Sequence, residues 1–68
     1  MSVYRVIDVI GTSPTSWEEA AKVAITTAGG SVRDLRIAQV TSQDVAIAEG
    51  GELLFRVKVQ LSFKYEPQ

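Results

Sequence analysis

The side chains able to carry out chemistry are few in this sequence. It contains no histidine and no cysteine, so the usual general base, the usual activated thiol and the common zinc ligands are missing. Ser13 and Ser16 precede Lys22 closely enough for a serine nucleophile with a lysine base to be considered. The same two serines fit a turn and a helix cap, and we prefer that interpretation. The sequence therefore predicts a protein without enzyme activity.

The length and net charge of the chain further limit the functional classes to which it could belong. The chain has 68 residues, of which 46% are apolar, and this predicts a single domain over residues 1–68 with a small core. The net charge of −1 provides no basic field for nucleic acid or an anionic membrane. The amino terminus lacks the pattern of a secretory leader and no apolar run reaches about 20 residues, so we expect a cytoplasmic protein. Without disulfides or a common metal site, self-association is the expected source of additional stability.

A helix is predicted after the first strand. Pro14 disfavours helical backbone at Ser13, and Ser16-Trp17-Glu18-Glu19 is a capping box, so we expect the helix to begin at Ser16. Its apolar stripe consists mostly of alanine, which lets a helix lie close to a sheet. Trp17 lies on that stripe, and we expect it to pack in the core or at a subunit interface. Gly29-Gly30 ends the helix.

The first and third strands are predicted from Val3 to Ile10 and from Leu53 to Tyr65. The first has apolar residues on both faces, so we expect both faces to be at least partly buried before a turn at Gly11. The third alternates between apolar and polar residues, which is typical of a strand with one buried face. That face carries Leu53, Phe55, Val57, Val59, Leu61, Phe63 and Tyr65.

The second strand is predicted from Arg33 or Asp34 to Ala48, followed by a hairpin turn at Glu49-Gly50-Gly51-Glu52. Its apolar residues switch twice between odd-numbered and even-numbered positions, which indicates a bulge near Thr41-Ser42. The order β-α-β-β with a right-handed crossover leaves room for the third strand between the other two. We therefore predict an α+β fold in which a three-stranded antiparallel sheet, of order 1-3-2, wraps around one helix. The long edge of the second strand favours pairing with another copy of the chain.

The segment from Tyr4 to Ala21, an apolar strand that runs into Gly-Thr-Ser-Pro and then a capped helix, resembles the start of the dodecins. The segment from Val57 to Lys64 is similar to the last strand of that family. Dodecins are small proteins that assemble twelve copies, as dimers and trimers, into a hollow particle. Their best-known branch binds flavins such as FMN or riboflavin without catalysis. The resemblance implies a homododecamer that binds or stores a small ligand, with no nucleic acid or membrane partner.

The resemblance also identifies two positions of a flavin clamp. Aligned with the family, Ile37 occupies the place of the tryptophan that stacks on the flavin ring, and Arg56 occupies the place of the glutamine that bonds the polar edge of the ring. Isoleucine has no π-face, and the loss of stacking removes on the order of 1–3 kcal/mol per aromatic contact. Arg56 favours an anionic ligand group or an ion pair with an acidic residue of a neighbouring subunit, and we prefer the ion pair.

Calcium is the other ligand that the resemblance implies, because calcium binding is attributed to some dodecin-like proteins that lack the aromatic clamp. Calcium needs several oxygen ligands, and Asp8, Asp44 and Glu49 are acidic residues on or near strands that could meet at a symmetric interface. None of them stands in an EF-hand loop. The sequence leaves three alternatives open: a ligand-binding shell with an altered flavin clamp, a flavin binder with a rearranged pocket, and a calcium-binding or purely structural shell.

Overall fold

The strands and the helix follow each other in the predicted order. The computed structural model describes residues 1–29 and 35–65 of the chain. These residues form β1 (Val3–Ser13), α1 (Trp17–Gly29), β2 (Leu35–Ile47) and β3 (Leu53–Tyr65). β3 lies between β1 and β2 and is antiparallel to both. The predicted α+β fold with strand order 1-3-2 is confirmed.

β1 continues beyond the predicted end at Ile10. Gly11 pairs with Val57 of β3, so the turn predicted at Gly11 is wrong. The glycine is required because the helix crosses the strand closely at this point. A Cβ atom at Gly11 would overlap the backbone oxygen of Ala20 and would lie 2.8 Å from the Cβ of Ala24. Gly11 therefore marks a close approach of helix and strand.

The two serines before α1 have the turn and cap roles that the sequence predicts. The hydroxyl of Ser16 accepts a hydrogen bond from the backbone amide of Glu19 at 3.0 Å, as in a capping box. The hydroxyl of Ser13, which is buried, accepts one from the amide two residues later at 3.0 Å. α1 runs to Gly29, where its end was predicted, and Gly30 lies outside the described residues.

The core lies between α1 and the central strand β3. It consists of Ala20 and Ala24 of α1 and of Val57, Val59, Leu61 and Phe63 of β3, each at most 5% exposed. The one-sided burial predicted for β3 is confirmed. Because the helix contributes mainly alanine, each of its core residues buries little apolar area, and the hydrophobic stabilisation of the single chain is correspondingly small.

α1 covers only part of the sheet. Its 13 residues span about 20 Å, whereas the 13 residues of β3 span about 44 Å. Val3, Val6 and Ile10 of β1 are 63%, 48% and 60% exposed. The expectation that both faces of this strand are partly buried is wrong for the single chain. Burial on the helix side begins only at Val9, and the opposite face, which carries Val6 and Ile10, has no covering element among the described residues. Within residues 1–29 and 35–65, no helix has the length and apolar character needed to cross a membrane.

β2 is an edge strand with two irregularities in its pairing. Its register against β3 shifts between Val40 and Ser42, which confirms the bulge predicted near Thr41-Ser42. A second shift, between Leu35 and Ile37, was not predicted. The edge of β2 is therefore interrupted twice along its 13 residues.

The hairpin between β2 and β3 closes as predicted. The amide of Ala48 donates to the carbonyl of Glu52, and the amide of Gly51 donates to the carbonyl of Ala48, both at 2.9 Å. Gly51 has a φ of 89°, a left-handed conformation that glycine adopts without steric penalty. The strand start predicted at Arg33 or Asp34 lies outside the described residues.

Candidate functional site

The predicted site positions Ile37 and Arg56 lie on the outer face of the sheet, which we define as the face that points away from α1. Residues directly opposite each other on antiparallel strands point to the same face, so the register divides the outer face into rows that cross the three strands. From the hairpin end, successive rows are Thr12-Arg56-Asp44, Ile10-Lys58-Ser42, Asp8-Gln60-Gln39 and Val6-Ser62-Ile37. Neighbouring rows are about 7 Å apart along the strands.

The two clamp positions do not meet within one chain. Ile37 pairs with Ser62, and Arg56 stands six residues earlier on β3, which corresponds to a separation of about 20 Å. Ile37 is 59% exposed, so its side chain is available to a neighbouring molecule. A ligand that touches both positions at once therefore requires residues from a second subunit.

Arg56 forms a bidentate ion pair with Asp44, which lies directly opposite on β2. The Arg56 Nε atom donates to Asp44 Oδ1 and the second terminal nitrogen donates to Oδ2, both at 2.8 Å. The expectation of a partner from a neighbouring subunit is corrected: the partner belongs to the same chain. The hydrogen bond from Arg56 lowers the pKa of the Asp44 carboxyl below its ordinary value. Both side chains are about half exposed, so solvent screening limits the contribution of the pair to stability.

Trp17 holds the backbone of Asp44. Its indole Nε1 donates to the carbonyl oxygen of Asp44 at 3.0 Å, and its ring contacts Phe55 edge-on with centroids 5.3 Å apart. Trp17 is half-buried and packs against the core, as the sequence predicts. Two contacts thus fix Asp44. Arg56 of β3 binds its carboxylate, and Trp17 in the first turn of α1 binds its carbonyl oxygen.

The pairing of Arg56 with Asp44 was missed from the sequence although a signal was available. Ala48 and Glu52 close the hairpin, so counting back from Ala48 and forward from Glu52 brings Asp44 opposite Arg56. The bulge at Thr41 lies further from the turn and does not disturb this count. A bidentate carboxylate and guanidinium on opposed strand positions is a frequent arrangement.

A shallow cavity of about 170 Å³ opens on the outer face beside this ion pair. Its lining comes from two neighbouring rows and consists of Ile10, Ser42, Asp44, Arg56 and Lys58. The cavity thus has two cationic side chains, one carboxylate, one hydroxyl and one apolar wall. These groups suit a small anionic or polar ligand more than a large aromatic one.

The three carboxylates proposed for calcium are separated in the single chain. Asp8 stands opposite Gln60, which is four residues or about 13 Å from Arg56 along β3, and Glu49 follows the end of β2. Both oxygens of Asp44 are already bonded to Arg56. In the part of the chain that the structure describes, no three acidic, histidine or cysteine side chains are grouped as a metal site requires. The described residues of one chain therefore do not group the side-chain oxygen ligands that calcium needs.

Large apolar side chains remain uncovered over much of the described surface. Those of at least one-third exposure are Met1, Val3, Tyr4, Val6, Ile7, Ile10, Val23, Ile37, Val40, Ile47, Leu53, Leu54 and Tyr65. Val6, Ile10 and Ile37 among them share the outer face of the sheet, and exposed apolar side chains grouped on one face favour association with another molecule. β1 and β2 also present unpaired strand edges within the described sheet.

The family model for Dodecin matches residues 3–66, almost the whole chain. The chain belongs to the dodecin family. This confirms the resemblance inferred from the strand, turn and capped helix at the start of the sequence.

Individual relatives support the same assignment for this dodecin. Calcium dodecin of Mycobacterium tuberculosis is 54% identical over 67 residues, a match that covers 98% of this chain and 94% of the relative. The crystal structure of the calcium dodecin of that organism, described as having a novel calcium-binding site, superposes with a TM-score of 0.88 at 52% identity and covers 98% of this chain and 96% of its own. Dodecin from Streptomyces coelicolor superposes with a TM-score of 0.86 at 33% identity, and the match covers 98% of this chain and 96% of that dodecin.

Proposed function

We propose that this dodecin is a non-enzymatic protein that assembles with copies of itself into a closed shell and binds calcium with oxygen ligands from neighbouring subunits. The observation that carries the proposal is the 54% identity, over 98% of the chain, to a calcium dodecin. Storage or sequestration of the ion is the corresponding role. A cytoplasmic location stays a prediction.

The uncovered sheet supports self-assembly. α1 leaves both ends of β3 uncovered, where Leu53 and Tyr65 are 48% and 51% exposed. On the outer face, Val6, Ile10 and Ile37 are 48%, 60% and 59% exposed in the single chain. Burial of these side chains against other copies adds the hydrophobic stabilisation that the small core lacks. Identical subunits that associate through such surfaces close into symmetric particles. We infer twelve subunits, arranged as dimers and trimers, from the family.

Symmetry also supplies what a single chain lacks for calcium. The ion takes about six to eight oxygen ligands, and an axis brings two or three copies of the same carboxylate together. Asp8 and Glu49 are the carboxylates we assign to this role, because they are exposed and form no ion pair within the described residues. Asp44 is less suited, since its two oxygens are held by Arg56.

The test combines assembly with thermal unfolding of the purified protein. Size-exclusion chromatography with light scattering is expected to give a particle of about twelve subunits. Calcium is expected to raise the melting temperature and a chelator to lower it, because a ligand at about 100 times its Kd stabilises the native state by about 2.7 kcal/mol. Magnesium, which demands a tighter octahedral site, serves as the ion control.

Two substitutions identify the ligands. Asp8→Asn and Glu49→Gln are expected to reduce or abolish the calcium-dependent shift of the melting temperature. Glu18→Gln, on the exposed first turn of α1, is the matched control and is expected to keep it. A monomer in dilute solution, or a melting temperature that calcium and chelator leave unchanged, contradicts the proposal.

A further inference from the structure

A second cavity lies on the helix side of the sheet, in the groove between α1 and β2. α1 packs mainly over β1 and β3, so the helix side of β2 stays open beside it. The cavity has a volume of about 210 Å³ and is lined by Trp17, Glu18, Ala21, Val40, Gln43 and Val57. None of these residues belongs to the outer face, where Ile37, Arg56 and Asp8 lie.

Two contacts hold the indole ring of Trp17 in one orientation at this cavity. Its Nε1 donates to the carbonyl oxygen of Asp44 at 3.0 Å, and its ring meets Phe55 edge-on with centroids 5.3 Å apart. The first contact also ties the start of α1 to β2 one residue away from Gln43. Because the ring is already ordered, its π-electrons attract a cation without a further loss of side-chain entropy.

Glu18 is the one charged residue that lines the cavity. Within residues 1–29 and 35–65 its carboxylate forms no ion pair or hydrogen bond, although Lys22 stands one turn later on α1. Glu19, in the same first turn, adds a second negative charge that offsets the positive end of the helix dipole. From the strand side, Gln43 adds an amide oxygen, which can also accept hydrogen bonds. The cavity therefore favours a cation that carries several N–H donors.

We infer that this cavity binds the guanidinium group of a small alkylguanidinium compound. A guanidinium is planar, stacks on aromatic rings and presents a fork of N–H donors to a carboxylate. A primary ammonium lacks the flat face, and a quaternary ammonium lacks the N–H donors that Glu18 and Gln43 can accept from. Val40, which is 48% exposed, and Ala21 form an apolar wall for the alkyl part. This site goes beyond the calcium proposal and uses none of the residues assigned to calcium.

The experiment is a titration of the assembled protein with n-butylguanidinium, n-butylammonium and n-butylurea, followed by calorimetry. Butylurea has the flat shape of butylguanidinium without its charge, and butylammonium has the charge without the flat shape. All titrations use one ionic strength, because surface charges are screened by salt. Trp17, the only tryptophan, reports on the same site by fluorescence. Butylguanidinium is expected to bind more tightly than either of the other two compounds.

Three variants assign the binding to the cavity. Glu18→Gln is expected to weaken butylguanidinium binding about tenfold, as the loss of one charge-assisted hydrogen bond predicts. Gln43→Leu keeps the size of the side chain, removes the amide oxygen and is also expected to weaken binding. Glu19→Gln is the matched control, because it makes the same charge change in the same turn but does not line the cavity. It is expected to bind within about twofold of the parent.

Melting temperature and particle size of each variant show whether it is folded and assembled. The inference is overturned if butylguanidinium does not bind saturably, or if butylurea or butylammonium binds as tightly. It is also overturned if folded Glu18→Gln binds like the parent, or if Glu19→Gln weakens binding as much as Glu18→Gln. Glu18→Gln is expected to keep the calcium-dependent shift of the melting temperature, so a failure here leaves the calcium proposal standing, and the reverse also holds.

Discussion

Replacement of Gly11 by alanine tests how closely α1 approaches β1. The added Cβ would overlap the backbone oxygen of Ala20 and would lie 2.8 Å from the Cβ of Ala24, whereas two carbon atoms prefer about 3.5–4.0 Å. Because one of the two obstacles is helix backbone, a side-chain rotation cannot relieve the overlap. The helix has to move away by about 1 Å, which loosens its contacts with the buried face of β3.

The expected loss is at the upper end of the 1–3 kcal/mol that overpacking usually costs, or about 2–3 kcal/mol. For a chain of this size, that corresponds to a fall of roughly 10 °C or more in melting temperature. Thermal unfolding should be followed by circular dichroism at one protein concentration, because assembly makes the transition concentration-dependent.

Two other glycines provide matched controls. A Cβ at Gly50 would meet only the flexible carboxylate of Glu52, so Gly50→Ala should change the melting temperature little. Gly51→Ala has open space around the new methyl group but a φ of 89°, so it should cost about 1 kcal/mol through backbone conformation alone. If Gly11→Ala is as stable as Gly50→Ala, the close contact between helix and strand is refuted.

Three further predictions concern the outer face and its support. Trp17→Phe keeps an aromatic ring but loses the bond to Asp44, and chemical denaturation should show a loss of about 1 kcal/mol; an unchanged midpoint would contradict it. Because the folded-state pKa of Asp44 lies below 3.8, its pair with Arg56 stabilises above that value and is lost as pH falls through the lowered pKa. Asp44→Asn should therefore be less stable than the parent at neutral pH only, and a difference that persists in strong acid would argue against the pair. Restoring the clamp with Ile37→Trp and Arg56→Gln should make the protein quench flavin fluorescence, and quenching by the parent would show that the clamp substitutions do not prevent binding.

The sequence was informative where local chemistry decides the structure. The capping box at Ser16, the bulge near Thr41 and the one-sided alternation of β3 each depend on neighbouring residues and were predicted. Gly11 was misinterpreted because a glycine after an apolar strand usually indicates a turn. Here its cause is a helix that folds back over it, a contact between distant residues that single-sequence patterns do not contain.

The candidate site was less accessible to prediction for a related reason. Ile37 and Arg56 could be assigned by family resemblance, but their separation of about 20 Å follows from the register of β2 against β3, including the bulge between them. The cavity next to Arg56 depends on which side chains share a row across three strands. The exposure of Val3 and Ile7 on the helix side of β1 depends on the short reach of α1, which no feature of the strand itself reveals.

The two register shifts of β2 have a consequence for the fate of the free subunit. A long, regular strand edge can add one chain after another without end, and this is how cross-β fibrils grow. In β2, the shifts at Thr41 and beyond Leu35 bend the edge and break its row of backbone donors and acceptors into short pieces. We expect a newly made subunit to find only partners of matching curvature, so its apolar, half-covered sheet leads to a finite particle instead of a fibre.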